Sequence, residues 1–190
     1  MADTILNLKQ LEDIFRNLTC TALGLNPVDP VNADKVRISW PTGGSPGWKI
    51  TEDVMFLRVR STGNEYSKQR DTEYTPNSDL EVNKITSYTL PRAVSWTAYG
   101  PNSFDNIETV RNALFSAGSI LRASNLALVI DVPVPVRCPD LFNSQWWERS
   151  DFTATFYETV TRQGTVPTIR GVNIKIKTEK GVTVDVDPTT

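Results

Sequence analysis

The sequence contains no histidine among its 190 residues. Histidine is the side chain that ordinarily titrates near neutral pH, and it is the commonest metal ligand in proteins. Its absence excludes Ser-His-Asp and Cys-His catalysis, most zinc sites and histidine-based pH switches. Chemistry that relies on carboxylates or lysines stays open, so the composition disfavours an enzyme without forbidding one. We therefore expect a protein that works by binding or assembly, with no catalytic residue, cofactor or metal.

Cysteines and long apolar runs are also scarce. Cys20 and Cys138 are the only cysteines, and they form neither a C-x-x-C redox pair nor, alone, a zinc site. Both are predicted to be reduced thiols. No stretch approaches the roughly 18–20 apolar residues of a membrane-spanning helix, and the N-terminus lacks the basic and apolar regions of a signal peptide. These absences predict a soluble protein that is made in a cytoplasm and has no membrane partner.

Neither sign of charge dominates the chain. It carries 20 Lys and Arg against 22 Asp and Glu, which gives a formal net charge of -2. Proteins that bind nucleic acid generally show a basic excess, so this balance speaks against a general affinity for DNA or RNA. The 39% of hydrophobic residues is typical of a globular chain, and the length predicts a single domain over residues 1–190.

The hydrophobic pattern predicts an α+β fold. Apolar residues at steps of three and four predict two main helices: residues 4–20 with Asp3 as N-cap, and residues 103–121 with Ser103 as N-cap. Alternating apolar residues predict strands at 36–40, 54–60, 85–99, 126–136, 152–160, 172–176 and 182–186. Because βαβ alternation is missing, we expect a mostly antiparallel sheet with the two helices packed on one face.

Two further segments stand apart from this pattern. Residues 61–83 are polar and lack apolar periodicity, which is typical of a functional loop, an extended hairpin or a disordered arm. Residues 170–187 predict a C-terminal β-hairpin. The glycine-rich run at 43–49 has the wrong spacing for a phosphate-binding loop, because Ile50 follows Lys49 and strands flank it. A turn is the better interpretation.

Five residues are candidate contact residues. Glu158 lies on the apolar side of its predicted strand, where it is either a catalytic carboxylate or, more commonly, a charge compensated at a sheet end or an oligomer contact. In the run Gln145–Arg149 (QWWER), we expect one tryptophan to enter the core and the other to anchor an interface with Arg149. We assign the interface role to Trp147. Lys175 and Lys177 form a basic edge that is either solvated, in contact with an acidic partner or, as a third reading, in contact with DNA.

Two stretches resemble a known protein family. Residues Tyr99–Asn106 (YGPNSFDN) follow a predicted strand and open a helix, and they resemble a signature of bacteriophage neck or tail terminator proteins. Residues Trp147–Phe156 (WERSDFTATF) are similar to the entry of that family's next strand. The order of elements agrees along most of the chain, whereas residues 61–83 and the C-terminal hairpin align poorly.

The resemblance implies a virion protein that forms a ring, typically a hexamer, at the head-proximal end of the tail. Such a ring stops growth of the tail tube, and of any sheath, and presents a surface to neck or connector proteins. DNA passes through its channel only as cargo, and assembly takes place in the host cytoplasm. Two alternatives stay open: another virion component, such as a tube, head-completion or minor tail protein, and a carboxylate-dependent hydrolase or nuclease.

Overall fold

The fold was described from a computed structural model of the chain. It covers residues 3–41, 43–44, 46–78 and 80–168, and the backbone alone at 174–177 and 183–186. The fold is α+β with a mostly antiparallel sheet, as predicted. The described residues form four α-helices, two of them long: α1 (Leu8–Ala22), α2 (Pro30–Ala33), α3 (Ser103–Ser116) and α4 (Gly118–Ala123), with a 3-10 turn at Tyr66–Lys68.

The described strands pair mainly with antiparallel neighbours. They are β1 (Val36–Ile38), β2 (Val54–Ser61), β3 (Asp71–Pro76), β4 (Glu81–Tyr99), β5 (Leu126–Leu128), β6 (Val136–Arg137), β7 (Asp140–Phe142), β8 (Gln145–Trp147), β9 (Arg149–Pro167), β10 (Ile174–Lys177) and β11 (Thr183–Val186). The main sheet has the order β1-β2-β4-β9-β5, with β6 also on β9. Strands β1 and β2 are parallel, whereas β2–β4, β5–β9 and β6–β9 are antiparallel. The pairs β7–β8 and β10–β11 form separate hairpins, and the second confirms the predicted C-terminal hairpin.

The chain forms two compact units. The larger comprises residues 4–69 and 88–160, and the smaller comprises residues 1–3, 70–87 and 161–190. In the smaller unit β3 pairs with residues 82–87 of β4, from Asp71 opposite Ser87 to Pro76 opposite Val82. The hairpin interpretation of the polar segment at 61–83 is therefore correct for its second half. The prediction of one domain over 1–190 remains a prediction.

The core of the larger unit lies between its helices and one face of the sheet. Leu11, Phe15 and Leu18 recur every three or four residues of α1 and are all buried. They meet the alternating residues of the sheet, including Trp96, whose ring lies 6.4 Å from that of Phe15. Burial of each such side chain contributes about 1.5–3 kcal/mol. The core consists of Leu11, Phe15, Leu18, Met55, Leu57, Val94, Trp96, Ala98, Ile107, Val110, Leu114, Ala117, Leu121, Leu126, Phe152, Ala154 and Phe156.

A buried hydrogen-bond chain ties this sheet to α1. The indole N–H of Trp96 donates to Thr19 Oγ1 at 2.9 Å, and the Thr19 hydroxyl donates to the carbonyl of Phe15 at 2.7 Å. Both side chains are fully buried. A buried donor without a partner is costly. These two hydrogen bonds therefore allow a tryptophan to occupy the core.

The first helix begins four residues later than predicted. Its N-cap is Asn7, whose side chain accepts from the N–H of Gln10 at 2.8 Å, while the Gln10 side chain accepts from the N–H of Asn7 at 2.9 Å. This reciprocal capping box satisfies two otherwise unpaired donors. Asp3 is not the cap. It accepts from the N–H of Gln163 at 3.0 Å, within the smaller unit.

Two other predicted elements are divided. The second helix has Asn102 as its N-cap, with Ser103 as the first helical residue, and it breaks at Ala117 to give α3 and α4. The strand predicted at 126–136 is two short strands, β5 and β6. Pro133 and Pro135 lie between them, and proline has no N–H to donate to a neighbouring strand.

Among the described residues, none of the helices combines the length and apolar character needed to cross a bilayer.

Candidate protein-binding face

One face of the larger unit's sheet carries none of the described helices. Because side chains alternate along a strand, the residues between the core positions point to this open face. Phe56 and Arg58 lie there on β2, Tyr99 on β4, and Arg149 on β9. A hydrogen bond of 2.9 Å from the Thr153 hydroxyl to that of Ser95 connects β9 to β4 on the same side.

A groove of about 580 Å³ runs across the open face. Its lining combines aromatic rings, two arginines and small hydroxyl side chains. These residues are Ser39, Trp40, Pro41, Trp48, Phe56, Arg58, Ser95, Thr97, Tyr99, Arg149, Asp151 and Thr153, with Trp96 and Phe152 at its floor. Exposed aromatic residues and arginines are the residue types that supply most of the binding energy at protein interfaces.

Trp40 is the most unusual residue of the groove. It follows β1 with φ of 58°, in the left-handed region, and its side chain is 77% exposed. The Arg58 guanidinium lies 5.0 Å from the centre of its ring, a cation–π distance. A bulky residue in this backbone region costs about 1–3 kcal/mol, and such strain collects at functional positions.

An aromatic cluster adjoins the groove. The Trp48 ring lies 5.1 Å from Phe56, 5.4 Å from Tyr99 and 6.2 Å from Trp147, and the Trp147 ring lies 6.2 Å from Phe142. A second cavity of about 580 Å³ opens beside this cluster. The indole N–H groups of Trp48 and Trp147 are buried without an acceptor among the described residues. The cluster thus offers apolar surface together with unpaired donors.

Carboxylates hold Arg149 in position on this face. Its guanidinium contacts Asp151 at 2.6 Å and Asp140 at 3.0 Å, and the Tyr99 hydroxyl donates to Asp140 at 3.0 Å. Hydrogen bonds to Asp151 raise the pKa of the Arg149 guanidinium. Burial by itself raises the pKa of the Asp151 carboxyl, but its hydrogen bonds and charge pairing with Arg149 outweigh burial, and its net pKa is lowered. Burial, followed by the hydrogen bond to Asp140, raises the pKa of Tyr99. Arg149 is therefore a fixed, neutralised part of the surface.

The structure brings together two of the five predicted contact residues. Trp147 and Arg149 both border the open face, on β8 and β9. The expectation that one tryptophan of the pair enters the core is wrong: Trp146 is 65% exposed, and half-buried Trp147 lies in the aromatic cluster. The β7–β8 hairpin is a separate two-stranded element, and neither of its tryptophans belongs to the hydrophobic core.

Glu158 lies away from this face, inside the subunit. It is fully buried, with Arg92 Nη2 at 2.6 Å from Oε2 and the N–H of Leu6 at 2.8 Å from Oε1. The partner that compensates its charge thus belongs to the same chain. The side chains of Lys175 and Lys177 lie outside the described residues. Within the part of the chain that is described, no group of three or more Cys, Asp or Glu residues is placed to hold a metal ion.

Sequence reasoning missed the residues that shape the groove. The sequence pattern predicts only that Trp40, Trp48 and Phe56 belong to strands or to the turn at 43–49. The available signal was the presence of Trp40 before this Gly- and Pro-rich run and of Trp48 within it, because a turn has no need of large aromatic residues. The thiols Cys20 and Cys138 are free, as predicted.

The stretch Tyr99–Asn106 joins three segments beside the face. Gly100 has φ of 108°, and a Cβ there would lie 2.5 Å from Asp53 Oδ1 and 2.6 Å from the Glu52 carbonyl. Asn102 donates to the same Asp53 carboxylate from its backbone N–H at 3.0 Å and from its side chain at 2.8 Å. The N–H of Gly100 donates to the carbonyl of Glu148 at 3.1 Å. The glycine therefore permits a close approach that fixes where the strand ends and α3 begins.

Fold and face together define an α+β protein whose main surface feature has the composition of a protein interface. The family model described as phage neck terminator protein matches residues 9–180. The chain belongs to this family, which confirms the resemblance seen in its sequence and gives it a structural role in the tail or neck of a phage particle. No curated protein matches the chain.

Proposed function

We propose that this protein forms a ring at the head-proximal end of a phage tail. There it ends growth of the tail tube, and of the sheath where one is present, and joins the tail to neck or connector proteins. The observation that carries the proposal is the family match over residues 9–180, because it covers nearly the whole described chain. The open aromatic face supports it, since the chain's described helices leave that face uncovered.

The partners follow from this position. The protein contacts other copies of itself, six in a closed ring, as well as the tube below and the connector above. DNA crosses the lumen as cargo, and the formal net charge of -2 suits a channel that does not retain it. The ring is assembled in the host cytoplasm and remains in the virion, and it needs no cofactor and carries out no catalytic step.

Among the contact residues, Trp147 and Arg149 contribute to the open face. Trp147 supplies a half-buried ring, and Arg149 supplies a guanidinium whose orientation Asp140 and Asp151 hold. Lys175 and Lys177 contribute a basic edge. Glu158 acts from within, because its buried pair with Arg92 fixes Leu6 near the start of the chain's first helix.

The test combines assembly and tube binding. Purified protein is examined by size-exclusion chromatography with light scattering, by electron microscopy, and by cosedimentation with tail tubes. Six-membered rings, in solution or capping one end of each tube, are expected. A protein that stays monomeric and never caps a tube contradicts the proposal.

Phage production provides a second test. Without this protein, tails are expected to have uncontrolled lengths and to fail to join heads, and a plasmid copy restores both properties. Copy number distinguishes a terminator from a tube protein, because a terminator contributes one ring per particle. Stacked rings along the whole tail show that the protein is a tube component instead.

A further inference from the structure

A short segment between β5 and β6 exposes apolar side chains that no described element covers. Ile130 is 92% exposed and Val134 is 67% exposed, and both belong to the Ile130–Pro135 segment. Two prolines in this segment limit its hydrogen bonding with a neighbouring strand. Apolar segments that contain prolines are bound well by grooves lined with aromatic rings.

The subunit holds this segment in one conformation. The Arg111 side chain, on α3, donates from Nε to the carbonyl of Pro133 at 2.9 Å and from Nη2 to that of Val132 at 3.4 Å. The side chain of Val132 packs against the core. Because the segment is ordered before it meets a partner, little conformational entropy is lost when it binds.

The groove on the open face complements the segment in character and in charge. Trp40, Trp48 and Phe56 supply aromatic surface. Arg58 is half-buried, and no carboxylate lies within ion-pair distance of it among the described residues. Asp131, the second residue of the segment, is exposed and likewise has no ion-pair partner in the described part of the chain. Arg58 and Asp131 carry opposite charges, so each supplies the ion-pair partner that the other lacks.

Their placement suits contact between copies. In the order β1-β2-β4-β9-β5 the two outer strands are β1 and β5. Trp40 follows β1, and the Ile130–Pro135 segment follows β5. Trp40 and the segment thus lie at opposite edges of the larger unit's sheet. We therefore expect the segment to reach Trp40 of another copy rather than Trp40 of its own. A contact between two different surfaces repeats from copy to copy and closes into a ring when the rotation allows.

We propose that the Ile130–Pro135 segment of one copy lies in the groove beside Trp40 of the next copy, where Asp131 pairs with Arg58. This contact rests on the ring proposed above and specifies its subunit interface. The segment supplies apolar side chains and one carboxylate. The groove supplies aromatic rings and one guanidinium.

Charge reversal tests the contact. The variants are Arg58→Glu, Asp131→Lys and the double variant, and their association is measured by light scattering and electron microscopy. Each single variant is expected to lower the association constant by about tenfold or more, as close interfacial charge pairs do. The double variant is expected to recover association to within about threefold, because the reversed charges attract again.

Mixing the two single variants separates a contact between copies from an effect within one copy. An equimolar mixture is expected to form alternating rings, because every interface then pairs either Asp131 with Arg58 or the two introduced residues. Restoration on mixing also requires both variants to be folded. Lys9→Glu, Asp13→Lys and their double variant carry the same charge changes on an exposed α1 pair, and they are expected to assemble normally.

The outcomes distinguish this contact from the ring itself. If the wild type forms rings and the single variants do so equally well, the contact is wrong and the ring stands. Weakened variants that neither mixing nor the double change restores also overturn it. Variants that keep rings but lose tube binding show that the groove holds the tube protein. A wild type that never assembles, alone or on tubes, overturns the ring proposal and this contact together.

Discussion

At the scale of single residues, the turn before α3 depends on a position without a side chain. Gly100 brings the end of β4 against the 52–53 loop, where Asn102 makes two hydrogen bonds to Asp53. A β-carbon at this position has no space, and the backbone is left-handed as well. The turn thus combines two requirements that glycine alone satisfies.

We expect Gly100→Ala to destabilise the fold by about 3 kcal/mol or more, because it adds a steric overlap with backbone atoms to an unfavourable φ. Urea unfolding followed by circular dichroism measures the change. Gly63→Ala is the matched control, since no atom lies within 4 Å of its added methyl group. Equal stabilities for the two variants would show that the 52–53 loop moves aside without cost.

The pairing of Asp151 with Arg149 makes stability depend on pH. The pKa of Asp151 is lower in the folded protein than its ordinary value, so the carboxylate contributes stability above about pH 4. That contribution is lost as pH falls through the folded-state pKa.

Asp151→Asn is therefore expected to lower the melting temperature at pH 7, and its difference from the wild type is expected to shrink as pH falls below about 4. Melting curves from pH 2 to pH 7 check this, with the exposed Asp34→Asn as the control. A constant difference across the range would mean that Asp151 acts through packing rather than through its charge.

At the scale of secondary-structure elements, the beginning of α1 is a local property of the Asn7–Gln10 capping box. We expect Asn7→Ala to destabilise the protein by about 0.5–2 kcal/mol, because the N–H of Gln10 loses its side-chain acceptor at the helix end. Asp3→Ala is expected to leave α1 unchanged. Chemical unfolding and helical circular dichroism compare the two variants. The reverse ranking would identify Asp3 as the residue that determines where α1 begins.

Elements with regular apolar spacing were predictable from sequence, and elements shaped by tertiary contacts were not. The stripe of α1 and the alternation around Trp96 each bury one side against a single core, so spacing alone identifies them. Strand β3 is polar and largely exposed, and only its pairing with β4 defines it.

The same limit applies to the candidate face. Trp147 and Arg149 were identified because aromatic and arginine residues are informative by type alone. Trp40 was missed because its importance lies in a left-handed backbone and in the proximity of Arg58 from another strand. Glu158 was noticed for its place in an apolar pattern, but its partner Arg92 is 66 residues away in the sequence.

At the scale of the whole molecule, the basic edge at the C-terminal hairpin is a proposed contact with an acidic partner surface. Lys175→Glu/Lys177→Glu is expected to weaken cosedimentation with tail tubes, and to do so less at high salt because ions screen the attraction. Lys9→Glu/Lys35→Glu changes the net charge equally at exposed positions of the larger unit and serves as the control. If both double variants pellet alike at every salt concentration, the lysines are simply solvated.

The hydrogen bond from Trp96 to Thr19 provides a probe that distinguishes a loss of assembly from a loss of folding. A donor this deeply buried exchanges its hydrogen with solvent only when the surrounding core opens, so its exchange rate reports the free energy of that opening. In deuterated water the Trp96 indole proton is expected to persist far longer than that of Trp146, whose ring is exposed. Groove variants that abolish rings yet leave this slow proton unchanged have lost a partner and kept their core.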